Sequence, residues 1–201
     1  MIYGVGRYKR DNEKSECLFI VEFEDDGEWS VYNSSNKILS VKNGNPSIYF
    51  QKVSEQEIKD RIKGEFKNVT TENVDCLCKC VFSLINQNKG GILVISDISE
   101  AEANRLKNDS TMIKKMKVDE SNIAKMSSID GAILVDESCF CYAIGVILDG
   151  FATQKGNSTR GARYNSSVRY SESLLKKGAH VLVIIISDDG NVNILPQLEK
   201  K

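Results

Sequence analysis

Apolar positions alternate along the chain up to about residue 48, then recur every four residues, and further on short apolar blocks are interleaved with helical stretches. Runs at 3–9, 17–24, 28–33 and 38–41 are rich in aromatic and β-branched residues. They are separated by the turn formers Asp25-Asp26-Gly27, Asn33-Ser34-Ser35-Asn36 and Asn43-Gly44-Asn45-Pro46. Phe19, Val21 and Phe23 alternate imperfectly with Leu18, Ile20 and Glu22, as in a strand partly covered on both faces. The segment predicts an antiparallel meander of three or four strands.

From Ser54 the period becomes helical. Ser54 is placed to cap a helix, with Glu57 three residues on completing a capping box, and Ile58, Ile62 and Phe66 share one face. A second helix is predicted over 71–88, stopped by Gly90-Gly91 in the C-cap role. A strand over 92–96 follows, then a helix over 99–106 with Glu100 and Glu102 near its positive end. Apolar runs at 132–136 and 142–148 predict a hairpin, a further helix begins near Ser166, and the run 179–187 reads as a buried strand. The predicted fold is α/β (α+β): a mixed central sheet flanked by helices, preceded by the β meander. Only Pro46 and Pro196 interrupt the chain and no Pro- or Gly/Ser-rich linker divides it. The change of period sets the division at 1–52, a β-rich segment or small module, and 53–201, the α/β domain.

Composition narrows the function classes. A chain of 201 residues with 41% hydrophobic content can bury roughly 70% of its unfolded surface without staples. Its 27 basic and 28 acidic residues give a net charge of −1, so nucleic acid is an unlikely partner, and the mixed charges over 107–125 read as a solvated face. No basic start followed by an apolar core marks a secretory leader, and no apolar run approaches a membrane span, so the expected location is the cytoplasm with reduced thiols. The six cysteines lack zinc-site spacing. In a helix, Cys76 and Cys80 share a face with Leu84 while Cys78 lies about 200° around, so core filling is their expected role. His180, the single histidine, stands at the lip of an apolar strand and is read as structural, which leaves no Ser-His-Asp or Cys-His site to build.

The candidate chemistry lies between Ser128 and Ser167. Asp130 sits on a glycine turn at a strand start, and about thirty residues later an arginine-bearing glycine turn follows, Ser158-Thr159-Arg160-Gly161-Ala162-Arg163. A metal-bound phosphate needs a carboxylate for the cation, cationic donors for the oxygens, and close backbone approach. Asp130 supplies the first, Arg160 and Arg163 the second, Gly131 and Gly161 the third. A cation sits poorly at the positive end of a helix unless an anion is near, which favours phosphate over solvated arginines. The expected ligand is a nucleoside triphosphate. Set beside this are blander readings: Asp130 as a turn aspartate, Tyr164 as packing, and Glu172 as a first-turn acid complementing the dipole of the helix near Ser166.

These residues resemble the diadenylate cyclase domain family, also called the DNA integrity scanning protein N-terminal domain. Asp130-Gly131-Ala132 matches the family's Asp-Gly-Ala motif. The run Gly161-Ala162-Arg163-Tyr164-Asn165-Ser166-Ser167 looks like its Gly-Thr-Arg-His-Arg-Ala-Ala motif, with tyrosine and asparagine in place of histidine and arginine. Gly91 to Ser96, Ser171-Glu172, and the strand from Ala179 to Ser187 followed by Asp188-Asp189-Gly190 are similar to further family segments. The resemblance implies condensation of two ATP molecules into cyclic di-AMP, with two sites face to face across a homodimer. It implies Mg²⁺ or Mn²⁺ on Asp130, catalytic roles for Asp130, Arg163 and Asn165, and nucleotide contacts from Gly131, Ala132, Leu148, Thr159, Arg160, Gly161, Tyr164, Ser166 and Glu172. An alternative stays open: a domain that binds ATP or cyclic di-AMP as a sensor, without turnover. A third reading is an interaction domain whose glycine turns only shape loops.

Overall fold

The computed structural model describes residues 4–7, 18–23, 27–33, 36–48, 53–87, 89–150, 161–187 and 191–197. The chain divides into two compact units, Met1–Lys52 and Val53–Lys201.

The first unit is a single sheet of five strands in chain order, each antiparallel to the next: β1 (Gly4–Arg7), β2 (Leu18–Phe23), β3 (Trp29–Asn33), β4 (Asn36–Lys42) and β5 (Asn45–Ile48). The predicted meander of three or four strands gains a fifth because the Asn43-Gly44 turn is only two residues long. Both take positive φ, 51° and 78°, which is the geometry that folds a tight hairpin. Pro46, read from sequence as a turn residue, lies in β5, where an edge strand tolerates its missing N–H. Among the described residues of this unit only Ser30 is buried, while Phe19, Phe23 and Ile48 are exposed.

The second unit is a six-stranded sheet between two helical layers. It contains α1 (Glu55–Glu65), α2 (Thr71–Ile85), β6 (Gly91–Ser96), α3 (Ser99–Arg105), β7 (Thr111–Lys117), α4 (Glu120–Met126), β8 (Ala132–Val135), β9 (Phe140–Val146), α5 (Ala162–Lys176), β10 (Val181–Ile186) and β11 (Val192–Leu195). The strand order is β11-β10-β6-β8-β9-β7. β6 and β8 run parallel, and the other neighbouring strands pair antiparallel.

The period-2 geometry of the strands sorts their side chains into two cores. On one face Leu93, Ile95, Ile133, Val135, Leu182, Ile184 and Ile186 pack with Ile58 and Ile62 of α1, Leu77, Val81 and Leu84 of α2, and Ile123 of α4. On the other, Val94, Ala132, Leu134, Val183 and Ile185 pack with Ala103 of α3 and Tyr170 and Leu174 of α5. Burial on both faces is why the central strands read as unbroken apolar runs.

Local signals place the helices. Ser54 accepts the Glu57 amide at 3.1 Å and caps α1, and Ile58, Ile62 and Phe66 are buried on its inner face. α2 ends at Ile85 with Asn86 as C-cap, earlier than the glycine stop the sequence suggested. The stretch 107–125 contains β7 and all but the last residue of α4. β7 was hidden from a period-based reading because it is an edge strand exposed along almost all its length, Lys114, Lys115 and Lys117 included. α4 opens on a full capping box between Asp119 and Asn122. The largest shift concerns α5. It starts at Ala162, with Gly161 as N-cap, so the arginine motif forms its first turn rather than a loop before a helix at Ser166.

The cysteines divide by direction, as their spacing predicts. Cys78 donates toward the Glu55 carbonyl, whereas the Cys76 and Cys80 thiols are neighbours on the side of α2 near Cys139. Burial pushes the thiols of Cys80, Cys139 and Cys141 up, Cys141 to about 12. All five described cysteines are unpaired thiols.

Candidate functional site

One end of the sheet gathers the start of β8, the end of β10 and the first turn of α5. They frame an open cleft of about 730 Å³ lined by Asp130, Gly161, Ala162, Arg163, Tyr164, Ile185 and Ser187. Asp130 and Arg163, thirty-three positions apart, face each other here, Arg163 Nη2 standing 3.8 Å from Asp130 Oδ1.

Each half of that pair is set by backbone. Asp130 immediately precedes Gly131, whose φ of +118° is available to glycine alone among the common residues. A Cβ at Gly131 would lie 2.5 Å from the backbone of Gly145 in β9. The close approach that glycine permits here is therefore strand against strand, a different need from the phosphate approach the spacing suggested. The Asp130 side chain, 96% exposed, projects from this fixed corner. Gly161 is N-cap to α5, and among the described residues a Cβ there would meet nothing within 4 Å.

The electrostatics favour an anion. The first turn of α5 has no acidic side chain and no side-chain cap, so its amides and the positive helix end face the cleft uncompensated by a fixed carboxylate of that turn. Arg163 adds a full charge, on a side chain 41% exposed. An exposed ion pair at such a distance is worth about 0–1 kcal/mol, so the contact with Asp130 holds Arg163 only weakly. Helix N-terminus and guanidinium together form an arrangement that can take a phosphate.

Among the described residues no group of three or more His, Cys, Asp or Glu side chains could hold a metal. Among the described residues Asp130 is the one carboxylate lining the cleft. That set does not make an all-protein cage. It does fit an Mg²⁺-type ion, which takes one or two carboxylates and completes its shell with phosphate oxygens and water.

The remaining sequence-predicted residues scatter around this centre. Tyr164 lines the cleft, and its hydroxyl accepts from Gln197 Nε2 at 3.2 Å. Ala132 is buried at the head of β8, and Leu148 is buried just beyond β9 in the second core. Asn165 donates back to the Gly161 carbonyl at 3.3 Å, and Ser166 to the Arg163 carbonyl at 3.1 Å, so neither hydrogen bond reaches into the cleft. Glu172 lies in the third turn of α5 instead of its first. It lines a separate groove of about 320 Å³ with Tyr164, Val168, Ser171, Leu175 and Leu195 to Gln197. The first-turn role read for it fails because α5 begins earlier. Thr159 and Arg160 lie outside the described residues. Ile185 and Ser187 were missed as lining residues, although the family-like strand that carries them was the available signal.

A charged network beside the site was also missed. Glu102, buried in α3, accepts from Arg105 at 2.6–3.1 Å, from the Tyr170 hydroxyl at 3.1 Å and from Lys177 at 2.9 Å. Arg105 also forks onto Asp149 at 2.6 and 2.7 Å. Burial alone would raise the Glu102 carboxyl, but the hydrogen bonds from Arg105 and Lys177 outweigh it and hold the group below the usual carboxylate range. Arg105 likewise holds Asp149 down, and burial raises Tyr170.

Residues 78–198 match the model of the family described as DisA bacterial checkpoint controller nucleotide-binding, DAC. The chain belongs to this family. Its DAC region takes in the hairpin with Asp130, all of α5 and the strand pair β10–β11. No curated protein sequence matches the chain. Among solved structures, the DAC chain is similar to a double mutant of DacA from Staphylococcus aureus at 15% identity and TM-score 0.48, covering 61% of this chain and 80% of the other. It is also similar to a hypothetical membrane spanning protein from Bacillus cereus at 14% identity and TM-score 0.51, covering 68% of this chain and 65% of that one. The second likeness supports the fold, a mixed sheet between helical layers. Among the described residues no helix is long and apolar enough to cross a membrane.

Proposed function

We propose that this chain is a diadenylate cyclase-like nucleotidyltransferase, converting two ATP into cyclic di-AMP and two pyrophosphates. The observation that carries the proposal is the opposition of Asp130 and Arg163 across an open cleft at the start of α5, in a chain of the DAC family. In each half-reaction the 3′-oxygen of one nucleotide bonds to the α-phosphorus of the other, the bond to the β-phosphate bridge breaks, and the hydroxyl proton is released. The α5 amides and Arg163 bind phosphate oxygens and neutralise the charge that builds on the departing pyrophosphate. Asp130 orients the 3′-hydroxyl and would hold Mg²⁺ or Mn²⁺ arriving with the triphosphate, which would supply Lewis-acid chemistry there. Ile185 and Tyr164 give the cleft apolar wall, and Gly161 leaves it open to a second nucleotide.

One cleft holds one nucleotide, so the reading includes a homodimer that brings two clefts face to face. It also includes the cytoplasm as the location, where ATP is abundant and thiols stay reduced. A sensor that binds ATP or cyclic di-AMP without turnover is the second reading. It draws on Asn165, a neutral side chain that stands where the family motif has arginine and donates to the Gly161 carbonyl.

Incubation of the full chain with ATP and Mn²⁺, followed by chromatography, separates the two. Cyclic di-AMP that falls at least about a hundredfold in Asp130→Asn supports the enzyme. Tight dinucleotide binding with no product supports the sensor. Failure of both ATP and cyclic di-AMP to raise the melting temperature at saturation sinks both readings.

A further inference from the structure

The cleft is assembled from two separate pieces of the fold. Asp130 rides on the β8–β9 hairpin, locked by the Gly131–Gly145 contact, whereas Arg163 rides on α5. Their relative position depends in part on what ties the exit of β9 to the helix. The Ile147 amide donates to the Asp109 carbonyl at 2.9 Å, fixing the chain to the α3–β7 connection as it leaves β9, and two further contacts reach α5. Gly150 lies so close to α5 that a Cβ on it would sit 2.7 Å from the Cβ of Arg169. Between these, Asp149 is gripped by Arg105, which grips Glu102, which in turn takes Tyr170 and Lys177 of the α5 region.

We infer that Arg105 is a positioning residue for the candidate site, setting the Asp130–Arg163 separation by clamping the end of the hairpin strand to α5 through Asp149 and Glu102. The inference rests on the nucleotide reading of the cleft. Guanidinium suits this role because its planar fork meets two carboxylates at once, which a lysine ammonium does not reproduce. Glu102 suits it because a buried carboxylate is stable only while its partners stay in place, so the arrangement resists partial opening. None of these side chains lines the cleft. Their effect passes through the backbone of residues 147–150 and the axis of α5.

The test compares the full-length wild type with Arg105→Gln, Arg105→Lys and Asp149→Asn, and with Ile62→Val as a stability-matched control in the opposite core layer. Three readouts are taken: the dissociation constant for ATP with Mn²⁺, the KM and kcat for dinucleotide formation, and amide hydrogen exchange over 146–150 and 161–165. Arg105→Gln is expected to weaken ATP binding and raise KM about tenfold, with faster exchange in both segments. Arg105→Lys falls between it and wild type, and Ile62→Val moves neither KM nor the exchange of the first turn of α5. Should Arg105→Gln not fold, Asp149→Asn, a substitution at a half-exposed side chain, carries the same expectation in smaller measure. Unchanged exchange over 161–165 in both variants overturns the inference, as does a control that loses affinity to the same extent. If wild type binds no ATP, the functional reading fails alone, and the positioning claim is decided by the exchange data.

Discussion

Asp130 and Gly131 stand side by side and answer to different physics. Asp130 is nearly fully exposed and contributes little to holding the fold, whereas Gly131 carries a positive φ and touches the backbone of Gly145. Gly131→Ala meets both a forbidden backbone region and a steric overlap with main chain, which cannot rotate away. The expected loss is about 2–4 kcal/mol in urea unfolding, read as a fall in midpoint at constant slope. A loss below about 0.5 kcal/mol would mean the two strands separate easily and that the site corner is soft. Legibility at this scale followed chemistry with short reach. Asp130 and Arg163 were found because charge and glycine at a strand start and a helix start are local features. Glu102 was read as a dipole-complementing acid of its own helix because its partners Tyr170 and Lys177 are sixty-eight and seventy-five positions away, and no periodicity reports such a pairing.

Among the elements, α3, the exit of β9 and α5 are joined by charges that titrate. Arg105 holds Asp149 below the usual carboxylate range, so this pair contributes stability that is full above about pH 5 and is lost as the pH falls through the depressed folded value. The groups facing it are Arg105 and Glu102 of α3, with Tyr170 and Lys177 closing the other side of Glu102. Melting curves from pH 6 down to pH 3 are expected to show the advantage of wild type over Asp149→Asn shrinking as acid is added. An advantage that stays constant, or grows, over that range contradicts the ion-pair account. The elements themselves were legible where burial is two-sided or a cap is present: the run of β10, the Ser54 start of α1 and the β8–β9 hairpin. β7 was not, because an edge strand with lysines on a solvated face has no apolar rhythm. The start of α5 was not, because Gly161 makes no side-chain cap for a sequence reader to see.

Across the whole molecule, the second unit has its own pair of cores and a sheet closed by helices on both faces, which is what an autonomous domain requires. Residues 53–201 expressed without 1–52 are expected to give one cooperative thermal transition with unchanged helix content by circular dichroism. A broad, non-cooperative melt would show that the first unit is needed for folding. The strand order carries one last implication. Asp130, Ile185, Ser187 and the head of α5 all crowd one pole of the sheet, while the turns around Asp97 and Ser138 cap the opposite pole. A fluorophore or a short inserted epitope at that remote pole would let an experimenter watch or capture the protein without crowding the cleft mouth.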